Sequence, residues 1–255
     1  MRTTPRNQDD HFRAKMCHFL ENRDNRDMSG IIVRSSRGIT LLGGGKARPA
    51  ELREALTLAP VLVAADGGAD FALRQDVEPE AVIGDMDSLS DAIRAALPAR
   101  KLHRIAEQNS TDFDKALRSV EAPLVLGVGF LGRRVDHQLA NFNVLARRYD
   151  RNCILLGKHD VILAAPAQIE LDLAPRERVS LFPMAEMTGR SQGLHWPIEG
   201  LTFRPDGVTG SSNRVSEGPV KLEFDSPGML LILPRRALTA TLDGLARARQ
   251  FAPAR

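Results

Sequence analysis

Cysteine is scarce. Cys17 and Cys153 are the two in 255 residues, too few and too far apart for a disulfide framework or for a structural zinc site, which needs about four clustered ligands. A reducing, cytoplasmic setting is the expectation that follows. No run approaches the roughly 20 apolar residues of a membrane-spanning helix, and the first residues lack the apolar stretch of a signal peptide. A protein that is neither exported nor embedded in a membrane is therefore expected. Charge of one sign is also missing: 35 Lys and Arg stand against 32 Asp and Glu, a net +3. With one Trp, one Tyr and ten Phe there is no alternation of basic and aromatic residues on which single strands stack. Nucleic acid is not an expected partner. Repeats and low-complexity segments are absent too. What is present is 43% hydrophobic residues, enough at this length to bury a sizeable core in one large domain or two modest ones.

Residues 1–29 are polar and charged apart from a patch around Met16–Leu20, which predicts a loosely ordered extension. Met28 stands just before the first core-like run and is a candidate start. From Gly38 onward, short apolar runs alternate with segments of helical spacing. Strands are predicted at Ile39–Leu42, Val61–Ala65, Ala81–Gly84, Leu102–Ile105, Leu124–Val128 and Cys153–Leu156. Helices are predicted at Ala50–Leu58, Asp91–Leu97, Asp112–Val120 and Val135–Arg148. Strands that are apolar without alternation, separated by amphipathic helices, imply a parallel sheet covered on both faces, a doubly wound α/β domain over 30–165. Past a short linker at Ala164–Ala167 the pattern changes. Gln168–Leu173, Arg178–Pro183, Val220–Phe224 and Met229–Leu233 alternate between turn residues, which predicts a smaller antiparallel β domain over 166–255. The tail Ala237–Gln250 has helical spacing.

Four segments carry residues suited to chemistry. Asp66-Gly67-Gly68-Ala69 follows an apolar run, so its glycines permit a tight turn and close approach of amides to an anion; a plain turn explains it equally well. Gly43-Gly44-Gly45-Lys46 reads the same way, and neither matches a P-loop. Gly84-Asp85-Met86-Asp87-Ser88 ends a strand with two carboxylates two residues apart. On extended backbone both point to one side at the carboxyl end of the sheet, where a hard cation such as magnesium would relieve their repulsion; otherwise Asp87 and Ser88 merely begin the next helix. Gln108-Asn109-Ser110-Thr111-Asp112-Phe113-Asp114-Lys115 opens a helix. Thr111 and Asp114 have capping-box spacing, while Asp112 and Lys115 share a face and offer a metal carboxylate beside a phosphate-binding ammonium. Gly127 to His137 is a glycine-rich turn leading into a helix that also carries Asn141; Arg134, Asp136 and His137 at its start could clamp phosphate and orient a hydroxyl or a metal-bound water, or Asp136 and His137 form a buried, satisfied pair.

In chain order these motifs, DGGA, GDMDS, QNSTDFDKAL and GRRVDHQLAN, resemble the thiamine pyrophosphokinase family, and Gly193-Leu194-His195-Trp196-Pro197 and Gly210-Ser211-Ser212-Asn213 resemble that family's thiamine-contacting segments. The resemblance implies an α/β domain followed by a β-sandwich, assembled as a homodimer with active sites between subunits. It implies that Asp85, Asp87 and Asp112 hold magnesium and, with Arg134 and Asp136, form the reaction centre. Asp66, Gly67, Gly68, Gln108, Thr111, Lys115, Arg134 and His137 would line ATP, and Ser212, Asn213 and Trp196 would face thiamine. The implied reaction is transfer of the terminal pyrophosphate of ATP to the thiamine hydroxyl, giving thiamine diphosphate and AMP. Three positions depart from the family pattern: Met86 where Phe is common, Arg133 where a second glycine is usual, and Asn109 where an acid is frequent. The residues alone also admit a metal-dependent phosphohydrolase, or a nucleotide-binding module without catalysis.

Overall fold

The apolar runs without alternation form the centre of a ten-stranded sheet in the computed structural model, which describes residues 30–132 and 134–252. The expectations for residues 1–29, Met28 included, and for Arg133 lie outside the described residues. The first half of the chain runs β1 (Val33–Arg34), β2 (Ile39–Leu42), α1 (Pro49–Leu58), β3 (Val61–Ala65), α2 (Gly68–Leu73), β4 (Ala81–Gly84), α3 (Asp91–Ala96) and β5 (Leu102–Arg104). It continues with α4 (Asp112–Arg118), β6 (Val120–Glu121), β7 (Val125–Val128), α5 (Val135–Arg147) and β8 (Cys153–Leu156). Every residue of β2, β4, β7 and β8 is buried, as expected where helices cover both faces. These strands pair in parallel in the order β8-β7-β2-β3-β4-β5. β1 and β6 form a separate parallel pair.

The second half comprises β9 (Asp160–Ala164), β10 (Gln168–Leu171), β11 (Arg178–Pro183), β12 (Met187–Gln192), β13 (Thr202–Phe203), β14 (Gly210–Arg214), β15 (Val220–Phe224), β16 (Met229–Pro234) and α6 (Leu238–Arg247). β9, unforeseen in the sequence, turns back antiparallel on β8 and pairs with β16. Through it the large sheet runs on as β9-β16-β11-β14. A four-stranded sheet, β10-β15-β12-β13, packs over this extension, and Ile169, Leu222 and Phe224 share one core with Leu163, Leu181 and Leu231. The switch from parallel to antiparallel pairing thus comes at β9, within one continuous sheet, and past Pro166 the chain first leaves that sheet for the four-stranded one at β10. The sandwich borrows one of its layers from the large sheet. The helical tail packs: α6 lies on β10 so closely that a Cβ on Gly244 would sit 2.8 Å from the Glu170 carbonyl oxygen.

Helices α4 and α5 are joined by charge. Asp114, 2% exposed, takes 2.9 Å hydrogen bonds from Arg148 Nε on one oxygen and Arg147 Nη2 on the other. The capping box is only half made, because Thr111 Oγ accepts the Asp114 amide at 3.2 Å while the Asp114 carboxylate is committed to the arginines. Burial works to raise the carboxyl pKa, but the charges of Arg148 and Arg147 outweigh it and leave the pKa below the usual range. Asp114→Asn should cost about 2–3 kcal/mol, less than the 3–5 kcal/mol of a fully buried pair because both arginines reach water. A carboxyl with a lowered folded pKa stabilises above its unfolded value of about 3.9, and that contribution is lost as pH falls through the folded pKa. The difference in urea midpoint between wild type and Asp114→Asn should accordingly be full at pH 7 and shrink below about pH 4.

Candidate active site

From β2 the chain winds one way through β3, β4 and β5, and later the other way through β7 and β8. The carboxyl ends of β2 and β7 thus flank a topological switch point, where an open α/β sheet leaves a crevice. A cavity of about 1180 Å³ opens there. Its walls come from the turn Gly43–Lys46, from Asp66 and Gly67, from Asp85, and from the start of α4 together with the glycine-rich turn before α5. The two glycine turns touch: Gly129 has φ +79° and a Cβ there would lie 2.6 Å from the Gly43 carbonyl oxygen. No other residue permits that approach.

The Asp-Gly-Gly segment works differently from the sequence expectation. The left-handed conformation falls on Asp66, φ +42°, and Gly68 serves close packing, since a Cβ on it would come within 2.0 Å of the Leu42 carbonyl oxygen. Asp66 is 3% exposed. Its Oδ2 accepts the Ser88 amide at 3.2 Å, and its Oδ1 is buried on the cavity wall without a partner.

The extended backbone assumed for Asp85 and Asp87 stops at Gly84. Met86 takes φ +69°, with its side chain buried among Val82, Leu89 and Ile93 and its carbonyl held by Arg94. Past that kink the alternation that would put both carboxylates on one side no longer applies. Asp85 lines the cavity, while Asp87 is exposed and gives its amide to Asp85 Oδ1 at 3.1 Å. Asp112 enters from α4. Lys115, 1% exposed, lies between the two lining aspartates, its Nζ 3.4 Å from Asp85 Oδ2 and 3.6 Å from Asp112 Oδ1. The Asp87 amide, with help from Lys115 and the Gln108 side chain, holds the Asp85 carboxyl below the usual range against the opposing effect of burial. Burial, aided by the Asp66 and Asp85 carboxylates, pushes Asp112 up against the opposing charge of Lys115. Among the described residues no three His, Cys, Asp or Glu side chains are grouped so as to hold a metal ion as they stand.

Thr111, Arg134 and His137 also line the cavity. The Thr111 hydroxyl is committed to capping α4. Arg134 and Asp136 form an exposed ion pair at 2.5 Å that lowers the Asp136 carboxyl pKa. Asn141, noticed in the sequence only as part of α5, donates at 2.7 Å to the buried Phe130 carbonyl and so fixes the glycine turn to the helix. Gly68, Asp87, Gln108 and Asp136 are not on the cavity wall.

The β-rich segments lie elsewhere. Asn213 is 4% exposed, and its amide is spent on the Trp196 main chain, accepting at 3.2 Å and donating at 2.7 Å. It shapes the loop around Trp196. Trp196 itself is 53% exposed, with the Arg214 guanidinium 5.3 Å from its ring centre and His195 against its edge. Ser212 is exposed, with φ +63° and its amide bonded to Ser180 Oγ at 3.0 Å. The irregular register of β11 against β14 at this point accounts for that diversion.

Comparison with known proteins covers both halves. Residues 52–156 match the family model described as "Thiamin pyrophosphokinase, catalytic domain", and residues 167–229 match "Thiamin pyrophosphokinase, vitamin B1 binding domain". The chain is 25% identical over 202 residues to thiamine pyrophosphokinase 1 of Arabidopsis thaliana, covering 66% of this chain and 76% of that protein. It is 27% identical over 173 residues to thiamine pyrophosphokinase 1 of Oryza sativa subsp. japonica, covering 60% of this chain and 66% of that protein. In fold it resembles the thiamine pyrophosphokinase of Bacillus subtilis, with TM-score 0.63 and 20% identity over 78% of this chain and 98% of that one. The thiamin pyrophosphokinase of Candida albicans gives TM-score 0.65 and 17% identity over 82% and 94%. With a catalytic and a vitamin-binding model matched in chain order over more than half of its length, the chain belongs to the thiamine pyrophosphokinase family.

Proposed function

We propose that this enzyme transfers the terminal pyrophosphoryl group of ATP to the hydroxyl of thiamine: the hydroxyl oxygen attacks the β-phosphorus, AMP leaves, and thiamine diphosphate forms. One observation carries the reading beyond family membership. Asp85 and Asp112 meet the buried ammonium of Lys115, and Asp66 shares their cavity wall, at the end of the sheet where open α/β folds take ligands. Three carboxylates on one wall, with a buried Asp66 oxygen left unpartnered, offer an all-oxygen donor set. Such a set fits a hard divalent cation, and magnesium commonly binds through one or two carboxylates plus substrate phosphates. Asp85 and Asp112 are the residues that would hold it, with Asp87 beside them. Bound there, the ion would neutralise charge developing on the transferred phosphates.

The chain's own groups then have definite work. Lys115 and Arg134 supply positive charge to the phosphates, and the fixed turns at Gly43–Lys46 and Gly129 orient the phosphate chain. His137, at the same wall, is placed to contact the nucleotide. Trp196 and Ser212 face thiamine, Trp196 offering an aromatic face to a cationic thiazolium. The cytoplasm is the inferred compartment. Cys153 is a buried free thiol, and among the described residues no helix is long and apolar enough to cross a membrane.

A homodimer is part of the same proposal, and distance supports it. From β14, which carries Ser212, to β2 at the cavity there are six strand steps in the sheet, about 30 Å at the usual strand spacing. One thiamine molecule cannot span that, so the thiamine segment serving a cavity is supplied by a second copy. Val135 and Leu139, one turn apart on α5 at the cavity rim, are 68% and 58% exposed, an apolar surface suited to such a contact.

Asp85→Asn and Asp112→Asn should each lower kcat/KM for thiamine diphosphate formation by about 10²–10³. Chromatography of the products checks this, and retention of full activity by Asp112→Asn would sink the metal-site reading. Free phosphate in place of AMP would favour the phosphohydrolase alternative. Asp112→Asn and Trp196→Ala chains, each impaired alone, should regain about a quarter of wild-type activity when unfolded and refolded together at limiting thiamine, because half the dimers are mixed and each has one intact shared site. No recovery on mixing would place both halves of the site within one chain.

A further inference from the structure

The wall of the cavity that carries Ser110, Thr111 and Asp112 rests on a segment with little main-chain support. Ile105 is the last residue bonded to the sheet, through the Gly84 carbonyl, and Thr111 begins α4. Among the described residues, none from 106 to 110 makes a hydrogen bond to another main-chain group. One side chain fills that role. Glu107 Oε2 accepts the amides of Asn109 at 2.8 Å and Ser110 at 3.1 Å, while Oε1 accepts the Ser110 hydroxyl and Arg118 Nη2, the latter at 2.8 Å. Arg118 Nη1 closes the ring on Ser110 Oγ at 3.1 Å. Arg118 is 10% exposed and stands in the last turn of α4, three residues beyond Lys115. The carboxylate therefore folds the segment back onto the helix that carries Asp112 and Lys115. Between its anchored ends Gln108 is turned outward, where its side chain reaches the Asp85 carboxylate.

A neutral cap would satisfy two amides equally well. A carboxylate bound to a largely buried guanidinium does more, because a charge-assisted pair holds its geometry against the field of nearby phosphates. Burial works to raise the Glu107 carboxyl, yet the donors from Ser110, Arg118 and Asn109 keep it below the usual range, so it stays anionic at neutral pH.

We propose that Glu107 and Arg118 are positioning residues of the transfer reaction, forming a charged brace that holds the Gln108–Asp112 wall in shape for the phosphate chain of the nucleotide. This rests on the pyrophosphokinase reading. Neither residue lines the cavity, so both act through the wall they support.

The test is steady-state kinetics of Glu107→Gln, which keeps the shape and removes the charge, with each substrate varied in turn. The KM for ATP should rise about tenfold, given that small misplacements of binding groups cost up to about 10²-fold. The KM for thiamine should stay within about twofold, since Trp196 and Ser212, the residues proposed to face it, belong to a segment that neither Glu107 nor Arg118 touches. General destabilisation would lower kcat through the active fraction and leave both KM values alone. Glu107→Asp, which retains the charge, should recover part of the ATP affinity and serves in place of Glu107→Gln should that variant not fold. An unchanged ATP KM, or equal rises for both substrates, overturns the brace. Failure of the wild type to make thiamine diphosphate would overturn the functional reading itself.

Discussion

A buried ammonium organises the candidate site. Removing the Lys115 charge from water is expensive unless opposite charge and hydrogen bonds compensate, and Asp85 and Asp112 are what the fold supplies on either side of it. That requirement ties the end of β4 to the first turn of α4, elements 27 residues apart between Asp85 and Asp112 in the numbering. Asp66 adds a third carboxylate to that wall, with one oxygen unpartnered. The rise in the Asp112 pKa, caused first by burial and aided by the Asp66 and Asp85 carboxylates against the pull of Lys115, reflects that crowding of acid.

Around this centre the turns are shaped by contact more than by flexibility. Two left-handed residues, Asp66 and Met86, flank the acidic wall, and another, Ser212, lies in β14. None of them is glycine, so each conformation is held by its surroundings: Ser88 on Asp66, Arg94 on Met86, Ser180 on Ser212. Glycines instead appear where backbones nearly touch, at Gly68 against Leu42 and Gly129 against Gly43. Strain of this kind persists only where neighbouring structure over-determines it, and of those neighbours Ser88 also lines the cavity.

The single sheet that joins both halves of the chain also separates the two parts of the site. Its extension through β9, β16, β11 and β14 sets the thiamine segment far from the acidic wall, and burying the shared core between that extension and the four-stranded sheet makes the separation rigid. The proposal that two subunits share each site is what reconciles that distance with one reaction centre.

Local pattern was sufficient for much of this protein. The unalternating runs at Ile39–Leu42, Val61–Ala65, Ala81–Gly84 and Cys153–Leu156 became strands with the bounds read from the sequence, because burial on both faces demands apolar residues throughout. The helical spacing of the tail became α6, and the acidic and glycine motifs were legible because such residues have few uses after a buried strand. Long-range pairing was not legible. Nothing in Asp160–Ala164 announces a strand that joins two halves, since its partners β8 and β16 are chosen by tertiary contact. The same is true of side-chain direction: Asp87 leaves the cavity because Met86 kinks the chain, Asn213 turns inward to hold Trp196, and Glu107 meets Arg118 only after α4 has folded back. The sequence by itself determined the classes of element and the chemical groups available, as these depend on residue type and near-neighbour spacing. Which carboxylates share a wall, and how far thiamine's segment lies from it, only the tertiary structure decided, because those distances are set by strand order and backbone kinks that no local spacing encodes.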